Sequence, residues 1–143
     1  MEAVEKLVVP DASVIDKWFV EEEYTEEALN LREDYIARRT EIIAPELLPF
    51  EVLNSLRYNP EYQEQDLLKV SEALDDYSFW LHRLKGDVGK NAVRKAVKYD
   101  ITIYDASYVS LGEEKGAEVY TADGKLLEKL DTLDNLHHIS KYR

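Results

Sequence analysis

The chain has no cysteine among its 143 residues, which excludes disulfides and thiolate-held metals outright. It also lacks any apolar run near the ~18 residues that a membrane-spanning helix needs. No charged, apolar, small-residue leader opens it either, so a cytoplasmic location is expected. Positive charge is the scarcer sign: 18 Lys and Arg stand against 30 Asp and Glu, a formal net charge of −12. That balance argues against a generic binder of nucleic acid or anionic membrane. An acidic protein handles RNA only where metal ions and a local basic surface carry the contacts.

What is present is an ordinary globular share of apolar residues, 45%, in a length that suits one domain over residues 1–143. Three stretches share one pattern of β-branched strand, aspartate, then helix. They are Leu7–Val14 around Asp11, Ile101–Val109 around Asp105, and Ala117–Leu126 around Asp123. In open α/β sheets, functional groups gather outside the carboxyl ends of parallel strands. Three aspartates at three such ends would face one small volume. Their mutual repulsion is relieved most simply by a divalent cation.

In chain order, Lys6–Val9 reads as the first strand, ended by Pro10, with Asp11 or Ser13 capping a short helical turn through Phe19. Thr25 is an expected N-cap for a helix over 26–39, and Glu41–Ala44 a second strand. Pro45 is expected at the first position of a helix over 46–57. The apolar set Leu67, Val70, Leu74, Tyr77, Leu81 and Leu84 predicts one amphipathic helix over 63–84. A further helix over 88–99 is expected to turn Ala92, Val93, Ala96 and Val97 inward. Ile101–Tyr104 reads as a strand. Leu136–Ser140, with His137 and His138, reads as a closing edge strand.

The segments VVPDASVIDKWF, PELLPFEVLNSL, ITIYDASYVSLGEEKG and YTADGKLL, in that order, resemble the PIN domain, and most of all the VapC-type toxin ribonucleases. The resemblance covers nearly the whole chain, with only helical pattern matching between Asn59 and Lys90. It implies a three-layer α/β/α sandwich with a small, mainly parallel central sheet. It further implies RNA cleavage with Mg²⁺ or Mn²⁺ held by Asp11, Glu51, Asp105 and Asp123. Asp11 and Asp105 are then the expected direct ligands, with Glu51 reaching in from a helix. Asp123 binds directly or through a water that Thr121 orients, and Ser13 and Asn54 match the accompanying polar positions. The implied partners are an RNA substrate, a VapB-like antitoxin and a second copy of the chain.

Each residue also has a plainer use. Asp11 and Asp123 suit helix N-caps, and Thr121 and Ser13 suit local backbone bonds. The basic face of Lys90, Arg94, Lys95 and Lys98 suits a solvated helix side as well as an RNA footprint. Two other classes stay open: a non-catalytic binding module of the same fold, and a phosphoaspartate receiver or phosphatase. The latter would want an adjacent acidic pair after the first strand, where Asp11-Ala12-Ser13 has none.

Overall fold

Val8, Val9, Ile42, Ile43 and Val119 are β-branched and almost completely buried, as strands covered on both faces must be. The computed structural model describes residues 6–143. Its strands are β1 (Lys6–Pro10), β2 (Thr40–Pro45), β3 (Trp80–His82), β4 (Glu118–Thr121) and β5 (Leu136–His138). They form one all-parallel sheet in the order β3-β2-β1-β4-β5. Val8 stands opposite Ile42 on one side and Glu118 on the other.

The helices are α1 (Ala12–Ile15), α2 (Thr25–Ile36), α3 (Leu48–Arg57), α4 (Glu64–Tyr77), α5 (Gly86–Tyr99), α6 (Ile103–Lys115) and α7 (Gly124–Lys129). They complete the three-layer α/β/α arrangement. The chain builds outward from β1 through β2 to β3, then returns to lay β4 on the other side of β1. The strand order therefore reverses between β1 and β4. A crevice opens at such a reversal, outside the carboxyl ends of the two strands.

Helix α6 runs across β1, β2 and β4 and is buried from Ala106 to Gly112. Small residues make this close approach possible. A Cβ on Gly112 would stand 2.3 Å from Val119 Cγ2 on β4.

Several expectations are corrected. Ile101–Tyr104 is not a strand: Thr102 caps α6, accepting the Asp105 amide at 3.0 Å, so Asp105 lies in a helix's first turn. The β-branched residues gave a strand signal that the cap and the packing of α6 override. The helix expected over 63–84 stops at Tyr77. Ser78 turns left-handed at φ 55°, and Phe79 swings inward to stack on Tyr77 and meet Trp18 edge-on. Leu81 then belongs to β3 and Leu84 is exposed.

Pro45 closes β2 opposite His82, and Pro49 instead occupies the first turn of α3. Thr25 lies inside α2, where its hydroxyl donates to the Val20 carbonyl and accepts the Glu22 amide. Of the four α5 residues expected inward, Ala92 and Ala96 are, against Ala106 of α6; Val93 and Val97 are exposed. The edge strand expected from Leu136 ends at His138.

Candidate active site

Pro10 leads straight into Asp11, whose extended backbone caps α1. Its Oδ1 accepts the Ser13 amide at 3.0 Å and the Ser13 hydroxyl. The Asp11 amide donates to the Tyr120 carbonyl at 3.0 Å, which ties the residue to β4. Thr121, fully buried at the end of β4, accepts the Asp123 amide at 3.0 Å. Ser13 Oγ accepts the Ala122 amide at 2.8 Å and lies 3.5 Å from Thr121 Oγ1. These two hydroxyls thus lace together the ends of β1 and β4, where the strand order reverses.

Asp123 caps α7, with Oδ1 accepting the amides of Lys125 at 3.0 Å and Leu126 at 3.3 Å. Asp11 and Asp123 are therefore N-caps and also lie at the crevice; the two uses coexist. Glu51 projects from the first turns of α3, and its Oε1 accepts the Tyr108 hydroxyl at 2.7 Å.

Asp11, Glu51, Asp105 and Asp123 all line one cleft of about 230 Å³, together with Ser13. Besides Ala12, three further polar residues line it that sequence reasoning missed: Asp16, Ser55 and Tyr108. Ser55 follows Glu51 by one helical turn, and Tyr108 follows Asp105 by three residues on α6, so helical spacing was the available signal. Asn54 is placed elsewhere. Glu51 sits between Asn54 and Ser55 around the helix; Ser55 faces the cleft, while Asn54 faces an adjoining groove. That groove, about 810 Å³, runs between α3 and α4 and is lined by Leu47, Phe50, Leu53, Leu67, Leu68 and Tyr104; Glu51 is common to groove and cleft.

No Lys or Arg lines the cleft. Burial accordingly pushes the Asp11 carboxyl up to about 6, against the pull of hydrogen bonds from Ser13 and Thr121. Asp16 is pushed up to about 7, again mainly by burial and then by the charges of Glu22, Asp11 and Glu51. Glu51 and Asp105 are raised by burial as well, with Asp123 adding repulsion on Asp105 and Asp105 on Glu51. Lys129 exerts a weak opposing field on Asp105.

Among the described residues, no three Asp, Glu or His side chains are already drawn into a ready cation cage. Asp11, Glu51 and Asp123 each have an oxygen engaged by hydrogen bonds from the protein. In kind, though, the set fits a hard divalent cation. Its donors are carboxylate and hydroxyl oxygens, with no sulfur or imidazole, and its charge is uncompensated.

The four basic residues of α5 lie outside this cleft. Lys95 is committed to Glu113 at 2.8 Å and largely covered, whereas Lys90, Arg94 and Lys98 are exposed. His137 and His138 lie on β5, where His137 pairs with Glu118 and His138 with Ser140.

The PIN domain family model matches residues 8–133. Ribonuclease VapC3 of Pyrobaculum aerophilum is 35% identical over 135 residues, covering 90% of this chain and 97% of that one. Among solved structures, a toxin–antitoxin complex from Klebsiella pneumoniae superposes with a TM-score of 0.66 at 13% identity, over 92% of this chain and 97% of its own. VapC20 of Mycobacterium tuberculosis, a sarcin-ricin loop cleaving toxin, gives 0.64 at 12% identity, over 85% and 93%. At such identities the structures speak for the fold alone.

Proposed function

This chain belongs to the PIN domain family and stands with its VapC proteins, and from that premise we propose that it is a divalent-metal-dependent endoribonuclease, the toxin of a VapBC-type pair acting in the cytoplasm. One observation carries the reading. Four carboxylates from four separate segments converge where the strand order reverses, and no basic side chain lines the cleft they share. A stable fold has no use for uncompensated carboxylates gathered in one cleft; a cation site does. The 35% identical relative, itself a ribonuclease, supports the activity.

Asp11, Glu51, Asp105 and Asp123 would hold Mg²⁺ or Mn²⁺. A bound ion of this kind supplies a water of lowered pKa and polarises a phosphoryl oxygen. The chain's own contribution is arrangement. Ser13 fixes the Asp11 carboxylate, and through its contact with Thr121 holds the two strand ends together. The bond from Thr121 to the Asp123 amide sets where α7 starts, and so where Asp123 stands. Exposed Lys90, Arg94 and Lys98 offer phosphate contacts that a chain of net charge −12 needs locally. Lys95 drops out of that footprint because Glu113 already holds it.

The same geometry suits an inhibitory partner. The apolar groove opens into the acidic cleft through Glu51. A segment with apolar anchors and one Lys or Arg fits both halves, its cation replacing the metal among the carboxylates. The structural neighbours include toxin–antitoxin complexes, which supports an antitoxin as the partner.

The test is cleavage of labelled RNA with Mg²⁺ or Mn²⁺, with chelator, and with Asp105→Asn. Chelation should abolish cutting, and the variant should cut at least about a hundredfold more slowly, as loss of a metal-holding or electrostatic group does. Cutting that survives chelation, or that Asp105→Asn leaves intact, would sink the proposal.

A further inference from the structure

The carboxylates of the cleft are not anchored alike. Asp11 is held by the amide and hydroxyl of Ser13, two residues on. Asp123 is held by the amides of Lys125 and Leu126. Asp105 is fixed through its backbone, its amide donating to Thr102, its own helix cap. Each of these anchors lies within three residues of the acid it serves, with Thr121 of β4 adding only a lesser pull on Asp11 from further off. Glu51 differs: it has the longest side chain of the four, and among the described residues no neighbour along the chain donates to its carboxylate. Its anchor comes from another element, the Tyr108 hydroxyl of α6, at 2.7 Å and 57 residues away.

We infer that Tyr108 is the positioning residue of Glu51, its buried phenol holding Oε1 so that the other carboxylate oxygen is the one offered to the cation. This rests on the proposed function. Tyr108 is only 2% exposed and packs within the main core, so its hydroxyl has little freedom to move. It stands one turn after Asp105 on α6, so one rigid helix places one acid directly and a second acid through its anchor. A free Glu side chain would have to surrender rotamer freedom on each binding event. Tyr108 makes that loss part of folding instead.

The experiment is a Mn²⁺ titration followed by electron paramagnetic resonance of the free ion, on the parent chain, Tyr108→Phe, Glu51→Ala and the double variant. Phenylalanine keeps the ring and its packing, and the metal-free melting temperature reports whether the fold persists. Tyr108→Phe should weaken Mn²⁺ binding about tenfold, the usual order for loss of a ligand's supporting bond. In the Glu51→Ala background, which leaves the phenol nothing to hold, the same change should leave the residual affinity where it was. Equal binding by the parent and Tyr108→Phe would overturn the inference alone. So would a loss of the same size in both backgrounds, since Tyr108 would then act on the fold and not through Glu51. A parent that takes up no Mn²⁺ would overturn the proposed function and this inference with it.

Discussion

Ser55 on α3 donates its hydroxyl to Asp16 Oδ2 at 2.8 Å, while Asp16 Oδ1 is buried with no partner among the described residues. One helix thus satisfies half of a carboxylate whose other half is left bare in the wall of an acidic cleft. Burial is the main reason Asp16 is pushed up to about 7, and no Lys or Arg lines the cleft to offset it.

Asp16→Asn should therefore stabilise the metal-free protein. The amide oxygen can still accept from Ser55, and the cost of a bare ionised oxygen disappears. A gain of about 1 kcal/mol at pH 8 is expected after allowance for the side chain's partial exposure. That corresponds to about 3 °C in melting temperature for a domain of this size. The gain should shrink as pH falls and be absent below about pH 4, where the acid is neutral in both states. Thermal melts of the two proteins across pH decide it; a variant that melts lower at pH 8 contradicts the account.

Asp11 and Asp16 together set the pH response of the unsubstituted chain. Their folded values, about 6 and about 7, both lie above the unfolded value near 4. The unfolded chain thus gives up these protons first as pH rises, and the native state keeps them longer. Their contribution to stability is complete below about pH 4 and is lost as pH climbs through 6 and then 7. Metal-free protein should melt higher at pH 5.5 than at pH 8. Mn²⁺ requires ionised carboxylates and should raise the melting temperature more at pH 8 than at pH 5.5. At about a hundred times its dissociation constant an ion adds about 2.7 kcal/mol, or roughly 8 °C. Asp105→Asn should remove most of that increment, and an undiminished increment would place the ion elsewhere.

Much of this architecture could be read from the chain before its structure. The three strand, aspartate, helix frames placed Asp11 and Asp123 at strand ends, because β-branched runs ended by Pro10 and Ala122-Asp123 leave few alternatives. Asp105 lies in the same cleft although its frame was misread, since a helix's first turn delivers a side chain to the sheet edge much as a strand end does. Short β3 was invisible: Trp80-Leu81-His82 continues the helical apolar period of α4, and only Ser78 and the inward turn of Phe79 break it. Asp16, Ser55 and Tyr108 escaped for another reason. Their membership depends on how α1, α3 and α6 are packed together, which no local pattern encodes.

Gly112 illustrates the same dependence and gives a stability test. Nothing in its sequence neighbourhood marks it as tight, yet a Cβ there would lie 2.3 Å from Val119 Cγ2. Val119 is buried on β4 and has no longer side chain to swing aside. Gly112→Ala should cost about 1–3 kcal/mol, the range for overpacking a close helix–sheet contact. Denaturant unfolding with an unchanged slope and a lower midpoint is the expected result.

The last prediction concerns partners. Phe50 on α3, Tyr58 just past its end and Leu68 on α4 are more than half exposed, and Phe50 and Leu68 line the groove that Glu51 joins to the acidic cleft. Such apolar exposure beside unpaired negative charge calls for a covering segment that is apolar along its length and basic at one point. The chain is expected to form a homodimer in solution. A short peptide bearing Leu or Phe anchors and an Arg should bind it and stop RNA cleavage. Binding should weaken as salt rises, because part of the attraction is between the Arg and the carboxylates. Replacing the Arg by Ala should leave apolar binding in place but restore most of the cutting. Phe50→Ala should weaken binding by about 1–2 kcal/mol, the usual scale for truncating an aromatic anchor, with metal uptake unchanged. Sedimentation reads the dimer, and calorimetry with parallel cleavage assays reads the rest. A monomer at tens of micromolar, where even modest interfaces associate, would count against the dimer. Peptide that binds without slowing cleavage would remove the plugging mechanism while leaving the nuclease reading untouched.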